Sequence, residues 1–283
     1  MKFEFDARGI RFDPDPFPPT AGLWVAGVAL HTAKANEYWY GLTAARKVRD
    51  RVAIGFTPYV VYRSVSSRVQ AAAQGVGTGG NFGQTYINEE YGYWHVRALV
   101  KIGVAVDRGD WSLGATLTTP SLGILGRGHN LAQGTLSGID QDGDGIIDPP
   151  YLAGNYQEGL SASWRSPLSL ALGATWKPGR TGLHLTLEWF DSVSRRQAME
   201  PESFVNQTTG ETITPDIAFA ADQVLNFGVG FEHDFESKLS LYAAFRSDFT
   251  TNPQDGTDNL SLSNWDLWHV STGAAFRFLN LEF

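Results

Sequence analysis

Residues 94–106 read Trp94-His95-Val96-Arg97-Ala98-Leu99-Val100-Lys101-Ile102-Gly103-Val104-Ala105-Val106. Trp94, Val96, Ala98, Val100, Ile102, Val104 and Val106 fall on one face of an extended chain. His95, Arg97, Leu99, Lys101, Gly103 and Ala105 fall on the other. A period of two held this long predicts a strand, because successive side chains of a strand point to opposite faces. The faces also indicate their media. A lipid-facing Arg or Lys costs ~2–4 kcal/mol at the bilayer midplane. A slip of one residue would turn Arg97 and Lys101 outward together. The polar face is therefore expected to line a lumen and the apolar face to meet lipid.

The same unit recurs along the chain. After the turn Asp107-Arg108-Gly109-Asp110, Trp111, Leu113, Ala115 and Leu117 alternate with Ser112, Gly114, Thr116 and Thr118. A strand near 38–47 turns at 48–50 into Val52, Ile54, Phe56, Val60 and Tyr62. Leu168–Trp176, Leu183–Trp189, Leu225–Phe231, Leu239–Phe245 and Trp268–Phe278 repeat the alternation, and Gly22–His31 predicts a strand upstream. The connections are unequal. Those at 48–51, 107–110, 177–182 and 234–238 are short, whereas 64–91, 120–165, 191–222 and 248–266 are long. Outer-membrane barrels show this asymmetry, with short periplasmic turns and longer outer loops. The expected fold is all-β: one transmembrane antiparallel β-barrel over residues 1–283, about ten full strands plus partial strands at both ends. The Pro-rich segment within 1–21 is expected to be a loop outside this scheme.

Composition agrees and excludes several alternatives. The chain has 283 residues, no Cys, 31 Gly, 9 Trp and a net charge of -8. Without Cys there is no disulfide framework and no thiolate metal site. The negative charge argues against a nucleic-acid partner, which needs a basic face. No apolar run approaches the ~18 residues of a membrane helix. The first residues, Met1-Lys2-Phe3-Glu4-Phe5-Asp6, lack the apolar core of a signal peptide, so the chain is expected to be a mature form or a fragment. The expected location is the bacterial outer membrane, with lipid as the surrounding partner.

Two sets of residues carry candidate chemistry. The first is Asp140-Gln141-Asp142-Gly143-Asp144-Gly145-Ile146-Ile147-Asp148. Asp140, Asp142, Asp144 and Asp148 with the Ile146 carbonyl match the first part of a calcium loop, and Gly145 permits its sharp turn. Tyr151 stands where the bidentate Glu of a complete EF-hand would be, and Pro149-Pro150 argues against a flanking helix. The alternative is a solvated acidic loop tip. The second set faces the predicted lumen: His95, Arg97, Lys101, Thr116, His184, Glu188, Glu232, Arg246 and His269. Such residues line any barrel. They also offer a substrate path, with Arg97 and Lys101 the first choices for a carboxylate or phosphate head group and His95, His184, Glu188 and Arg246 beside them. Enzymatic chemistry is not expected: the six His are scattered, no Gly-x-Ser-x-Gly elbow occurs, and Ser112 and His95 lie far apart along their hairpin.

Three stretches, Val100–Thr119 (VKIGVAVDRGDWSLGATLTT), Leu168–Trp189 and Gly273–Phe283 (GAAFRFLNLEF), resemble the FadL type of long-chain fatty acid and hydrocarbon transport barrel. The resemblance implies a fourteen-stranded barrel of which this chain would be a fragment, an N-terminal plug whose motif is not visible here, and a lateral gap for hydrophobic ligands. It implies passive transport of hydrophobic small molecules such as long-chain fatty acids. The residue patterns also leave open a structural or adhesion barrel with calcium-stabilised surface loops, and a general porin.

Overall fold

The computed structural model describes residues 2–12, 24–76, 82–138, 140, 146–235, 239–253, 265–278 and 281–282. The chain is all-β, and its main body is one antiparallel sheet that curls on itself. In chain order the strands are β1 (Lys2–Phe12), β2 (Trp24–Gly41), β3 (Ala44–Arg49), β4 (Val52–Val76), β5 (Phe82–Asp107) and β6 (Trp111–Thr118). They continue with β7 (Leu122–Ser137), β8 (Tyr151–Ser161), β9 (Ser169–Trp176), β10 (Thr181–Phe190), β11 (Val193–Met199) and β12 (Phe204–Val205). The last are β13 (Thr212–Ile213), β14 (Ile217–Ala221), β15 (Val224–Phe235), β16 (Leu239–Asp248), β17 (Leu267–Phe278) and β18 (Leu281–Glu282). The main path runs β1-β2-β4-β5-β6-β9-β10-β15-β16-β17-β18.

Several of these strands are halves of longer ones. β2 and β3 both pair with β4, from Trp24↔Val76 to Gly41↔Tyr59 and then from Ala44↔Phe56. They form one path broken at Leu42 and Thr43. The stretches expected as separate strands near 22–31 and 38–47 are thus parts of one. β6 and β7 likewise share the edge of β5, broken at 119–121. β8 and β9 continue each other across 163–168, pairing with β7 and β6 in turn. β10 leads through 191–192 into β11, and β14 through 222–223 into β15.

The breaks lie at one height. Tyr59 and Phe56 flank the first, Ala98 and Lys101 the second, and Ser169 pairs with both Thr118 and Phe190 just below the others. Below this level the strands are short and joined by tight turns. Above it, most of 64–91 and much of 120–165 are strand as well, because β4 and β5 pair without interruption from Val52↔Val106 to Val76↔Phe82. The stretch 191–222 is also partly strand, β11 pairing with β14 and β12 with β13. Residues 13–23, which carry the Pro-rich run, and Asp142 and Asp144 of the acidic motif lie outside the described residues, as do parts of the connections 234–238 and 248–266.

The two faces separate as the alternation predicts. His95 and Arg97 are each 1% exposed and Leu99 3%, while Ile102 and Val104 on the opposite face are 47% and 41% exposed. Ile54, Phe56, Leu113, Leu172, Leu185, Leu187, Val229, Phe245 and Val270 are likewise exposed. A continuous outward apolar belt is more than a water-facing surface tolerates. Aromatic rings mark its limits. Tyr38, Tyr62 and Trp94 form a ladder with centroids 6.4 Å apart at one end, and Trp111 stacks on Trp176 at 5.6 Å at the other. From Trp94 to Val106, twelve residue steps give about 40 Å of strand at ~3.4 Å each, or about 30 Å of height at a ~40° tilt. That is the thickness of a bilayer's hydrocarbon core.

Candidate functional site: a clamped lumen beside a break in the wall

The concave side of β2, β4 and β5 carries a charged cluster at the level of the breaks. Strand alternation points Glu37, Trp39, Arg63, Arg97 and Lys101 inward with their neighbours Ala35, Val65 and Leu99. Arg97 Nη2 donates to Glu37 Oε2 at 2.9 Å, and Arg63 Nη1 donates to the same oxygen at 3.2 Å. Trp39 Nε1 donates to Glu37 Oε1 at 2.6 Å. Glu37 thus holds two guanidinium groups, one of them fully buried. A buried cation left without its partner is strongly destabilising, so the bridge is a structural requirement.

The strap 163–168, between β8 and β9, lies on this cluster. The Trp164 ring centre sits 4.2 Å from Arg63 Cζ and 4.6 Å from Arg97 Cζ, and the ring also stacks on Phe219 at 5.8 Å, against the buried cluster. Arg97 Nε donates to Ser166 Oγ at 3.0 Å, and the Ser166 amide donates to Ser121 Oγ at 2.8 Å. Arg97 therefore clamps the strap to the wall. His95 lies close by, against the bare backbone of Gly123 and Gly126, where a Cβ would crowd its ring. Packed this way, His95 and Arg97 offer little to a passing solute.

Lys101 is placed differently. Its Nζ lies over the rings of Trp39 at 5.3 Å and Tyr59 at 5.8 Å. Among the described residues no carboxylate comes within ion-pair distance of it. Lys101 itself lines neither of two cavities along this strand, but its inward neighbours on either side do. Above it, Leu99 lines an apolar cavity of about 780 Å³ with Trp39, Tyr40, Leu42, Pro58, Tyr59, Val60, Val100, Pro120 and Leu122. Below it, Gly103 lines a second cavity of about 820 Å³.

The apolar cavity is built by the wall's interruptions. Pro58 has no N–H to give the ladder, and the facing Leu42 and Thr43 leave strand geometry. Thr43 and Thr57 hydroxyls meet at 3.0 Å instead. Gly41 is required there, since a Cβ would press into the Tyr59 ring. On the other side of the β4–β5 pair, Thr119 patches the second break: its amide donates to the Val100 carbonyl at 2.9 Å and its hydroxyl accepts from the Val100 amide at 3.0 Å. Inward residues (Trp39, Tyr59, Leu99) and outward ones (Tyr40, Val60, Leu122) line the same cavity.

The lower cavity has unlike sides. Gly55, Gly103, Gly114, Ala171 and Gly173 make one side nearly flat, and Glu188, Asn226, Arg246 and Asp248 face it. Glu188 and Arg246, both expected in the lumen, share this chamber. Arg246 pairs with Asp248 at 3.3 Å, and His269 approaches the same carboxylate at 3.5 Å. His184 stands nearer the tight turns, bonded to Thr175 Oγ1 at 3.1 Å and 3.9 Å from Glu232. Lys177, in the turn itself, reaches Glu232 at 2.6 Å, and that hydrogen bond holds its ammonium above the ordinary lysine range. The predicted luminal residues therefore form two groups, His95, Arg97 and Lys101 above and His184, Glu188 and Arg246 below. Ser112 pairs with Asp107 near a tight turn, twelve residues along β5 from His95, so no nucleophile and base meet there.

Glu37, Trp39, Arg63, Tyr59 and Trp164 are functional candidates that sequence reasoning missed. Glu37, Trp39 and Arg63 fall on the inward period of β2 and β4, which is the signal that was there to find.

No family model and no curated protein matches the chain. Solved structures do. The Ralstonia pickettii toluene transporter TbuX matches at 12% identity and a TM-score of 0.45, over 98% of this chain and 67% of that one. A Pseudomonas aeruginosa FadL homologue matches at 14% identity and a TM-score of 0.43, over 98% of this chain and 62% of that one. The CymD monoaromatic hydrocarbon channel matches at 10% identity and a TM-score of 0.37, over 91% of this chain and 78% of that one. The chain thus spans about two thirds of the length of the first two.

Proposed function

We propose that this chain forms the wall of a bacterial outer-membrane barrel that passes hydrophobic small molecules, without chemistry on them, through an opening in its side. The observation that carries the reading is the apolar cavity at the double break around Pro58, lined by inward and outward side chains alike. A molecule leaving water for that cavity loses apolar surface to protein, at roughly 25 cal/mol per Å². From there its outward residues Tyr40, Val60 and Leu122 lead to the apolar belt.

Within this reading Lys101 sets the ligand class. Its ammonium, over the rings of Trp39 and Tyr59 that line the cavity, suits the carboxylate of an amphiphile whose tail lies along Tyr40, Val60, Val100 and Leu122. Long-chain fatty acids fit this description. The test is binding of a fluorescent fatty acid and of its methyl ester to the purified protein in detergent. The acid is expected to bind more tightly, and Lys101→Ala is expected to erase the difference. Equal binding of acid and ester by the parent would remove the carboxylate from the account, though not the apolar cavity.

A further inference from the structure

The ribbon of β11 and β14 leaves the wall and crosses the concave space. It departs at 191–192 and returns at 222–223, between β10 and β15. Yet Val193, Ala198, Met199, Ile217 and Phe219 pack into one buried cluster with Ala35, Val65 and Tyr93, which face inward from β2, β4 and β5 on the other part of the sheet. The ribbon is a two-stranded sheet of its own, with no ladder to β2, β4 or β5. Its backbone ties within this cluster run to the strap: a bridge Ala162↔Met199 and a bond from the Ser163 amide to the Ala198 carbonyl at 2.9 Å. The ribbon and the residue that leads into the strap are seated in turn on two bare positions of β7. At Gly126 the Ala162 carbonyl, and at Gly128 the Met199 sulfur, occupy the space a Cβ would need.

We propose that this ribbon, with the strap, is a displaceable plug, and that its displacement opens a second, axial route for water and small ions into the lower chamber. The route is distinct from the lateral one for apolar molecules. The body is held by packing and a few separate hydrogen bonds to the wall, among them Ala162 amide to Gly126 carbonyl at 3.3 Å and Gln207 amide to Leu152 carbonyl at 2.8 Å, and breaking these costs less than breaking the continuous ladder that holds a strand of the wall. One side of the chamber beneath offers water its partners, since Thr116, Thr186, Glu188, Asn226, Arg246 and Asp248 line it opposite the flat glycine and alanine side. The Arg63–Trp164–Arg97 clamp is the latch, because it fixes the strap that the ribbon leans on.

The test wedges the seat and reads ion flow. The full protein in a planar bilayer is expected to conduct little. Gly128→Trp, which denies Met199 its place, is expected to raise mean conductance about tenfold or more through a shift in the closed–open balance. Trp164→Ala, which undoes the latch without filling space, is expected to act in the same direction. Folding of each variant is checked by the heat-modifiable band on a gel. The second readout uses a single cysteine at Gly103, since the parent chain has no Cys. A membrane-impermeant thiol reagent added on the long-loop side is expected to label it slowly in the Gly103→Cys parent and quickly with Trp164→Ala added. The proposal is overturned if folded Gly128→Trp or Trp164→Ala protein conducts and labels like the parent. Uptake of apolar ligands is a separate measurement, so loss of the lateral route would leave this result readable.

Discussion

Glu37 Oε2 accepts a hydrogen bond from Arg97 at 2.9 Å and another from Arg63 at 3.2 Å, so one carboxylate oxygen joins the three strands β2, β4 and β5 on the concave face. Both guanidinium groups then hold Trp164. The strap that fills the lumen at this height is thereby fixed to the wall. One carboxylate thus faces two cations, of which Arg97 is fully buried.

Removing the charge of Glu37 is expected to cost stability. Glu37→Gln keeps the volume but leaves Arg97 buried beside a neutral amide, a change of about 3–5 kcal/mol when one member of a buried pair is lost. The temperature at which the heat-modifiable band converts to the unfolded form is expected to fall. An unchanged conversion temperature would mean that the cluster is hydrated and the bridge incidental.

The two basic residues of β5 are expected to separate. Lys101→Ala should weaken binding of an anionic amphiphile about tenfold, the loss of one charge-assisted hydrogen bond, and leave thermal stability nearly unchanged. Arg97→Lys should do the reverse, because a lysine cannot bond Glu37 and Ser166 from one planar group. Paired binding and melting measurements on the two variants check this. Equal effects of both changes on binding would contradict it.

Outward and inward positions of the wall are expected to differ in their tolerance of charge. Leu185→Arg places a guanidinium in the apolar belt and is expected to cost ~2–4 kcal/mol near midplane. Thr116→Arg, which faces the lower chamber, should cost far less. Urea-driven unfolding from vesicles measures both. A chain that folds equally well with either substitution has no lipid-facing side.

The acidic motif between β7 and β8 is expected to bind calcium weakly. Asp140, Ile146 and Asp148 would act with Asp142 and Asp144 as oxygen ligands. Calcium should slow proteolysis of this connection, and Asp142→Ala should cancel the protection. Cleavage at the same rate with calcium or a chelator would leave a solvated loop tip.

The wall was legible in the sequence where its two faces meet different media. Val96, Val100 and Val104 against Arg97 and Lys101 fix a face and a register, because lipid and lumen demand opposite chemistry. The upper reaches of β4 and β5 were not legible. Ser66-Ser67-Arg68-Val69-Gln70 on β4, opposite Gly92, Tyr91, Glu90, Glu89 and Asn88 on β5, show no apolar period, yet they pair without a break. A strand wet on both sides carries no alternation to read, and only its partner identifies it. The ribbon and strap were hidden for another reason. Trp164, Met199 and Phe219 are ordinary loop residues until three distant segments come together, and Gly126 and Gly128 show their purpose only when Ala162 and Met199 are seated on them. Of the luminal candidates, the period found His95, Arg97 and Lys101 but could not tell the clamped Arg97 from the available Lys101. That distinction rests on Glu37, sixty residues away.

The proposed lateral passage runs through the cavity beside Pro58. It is tested most directly by uptake of a radiolabelled fatty acid into cells that make the protein, parent set beside Leu122→Trp. Leu122 is exposed at the cavity's rim, so a larger ring there obstructs the opening without disturbing the packed lumen. The parent is expected to speed uptake over cells lacking the protein, and Leu122→Trp, present at equal level in the outer membrane, to return it to the background rate. Uptake by Leu122→Trp at the full parental rate would contradict a route through the wall.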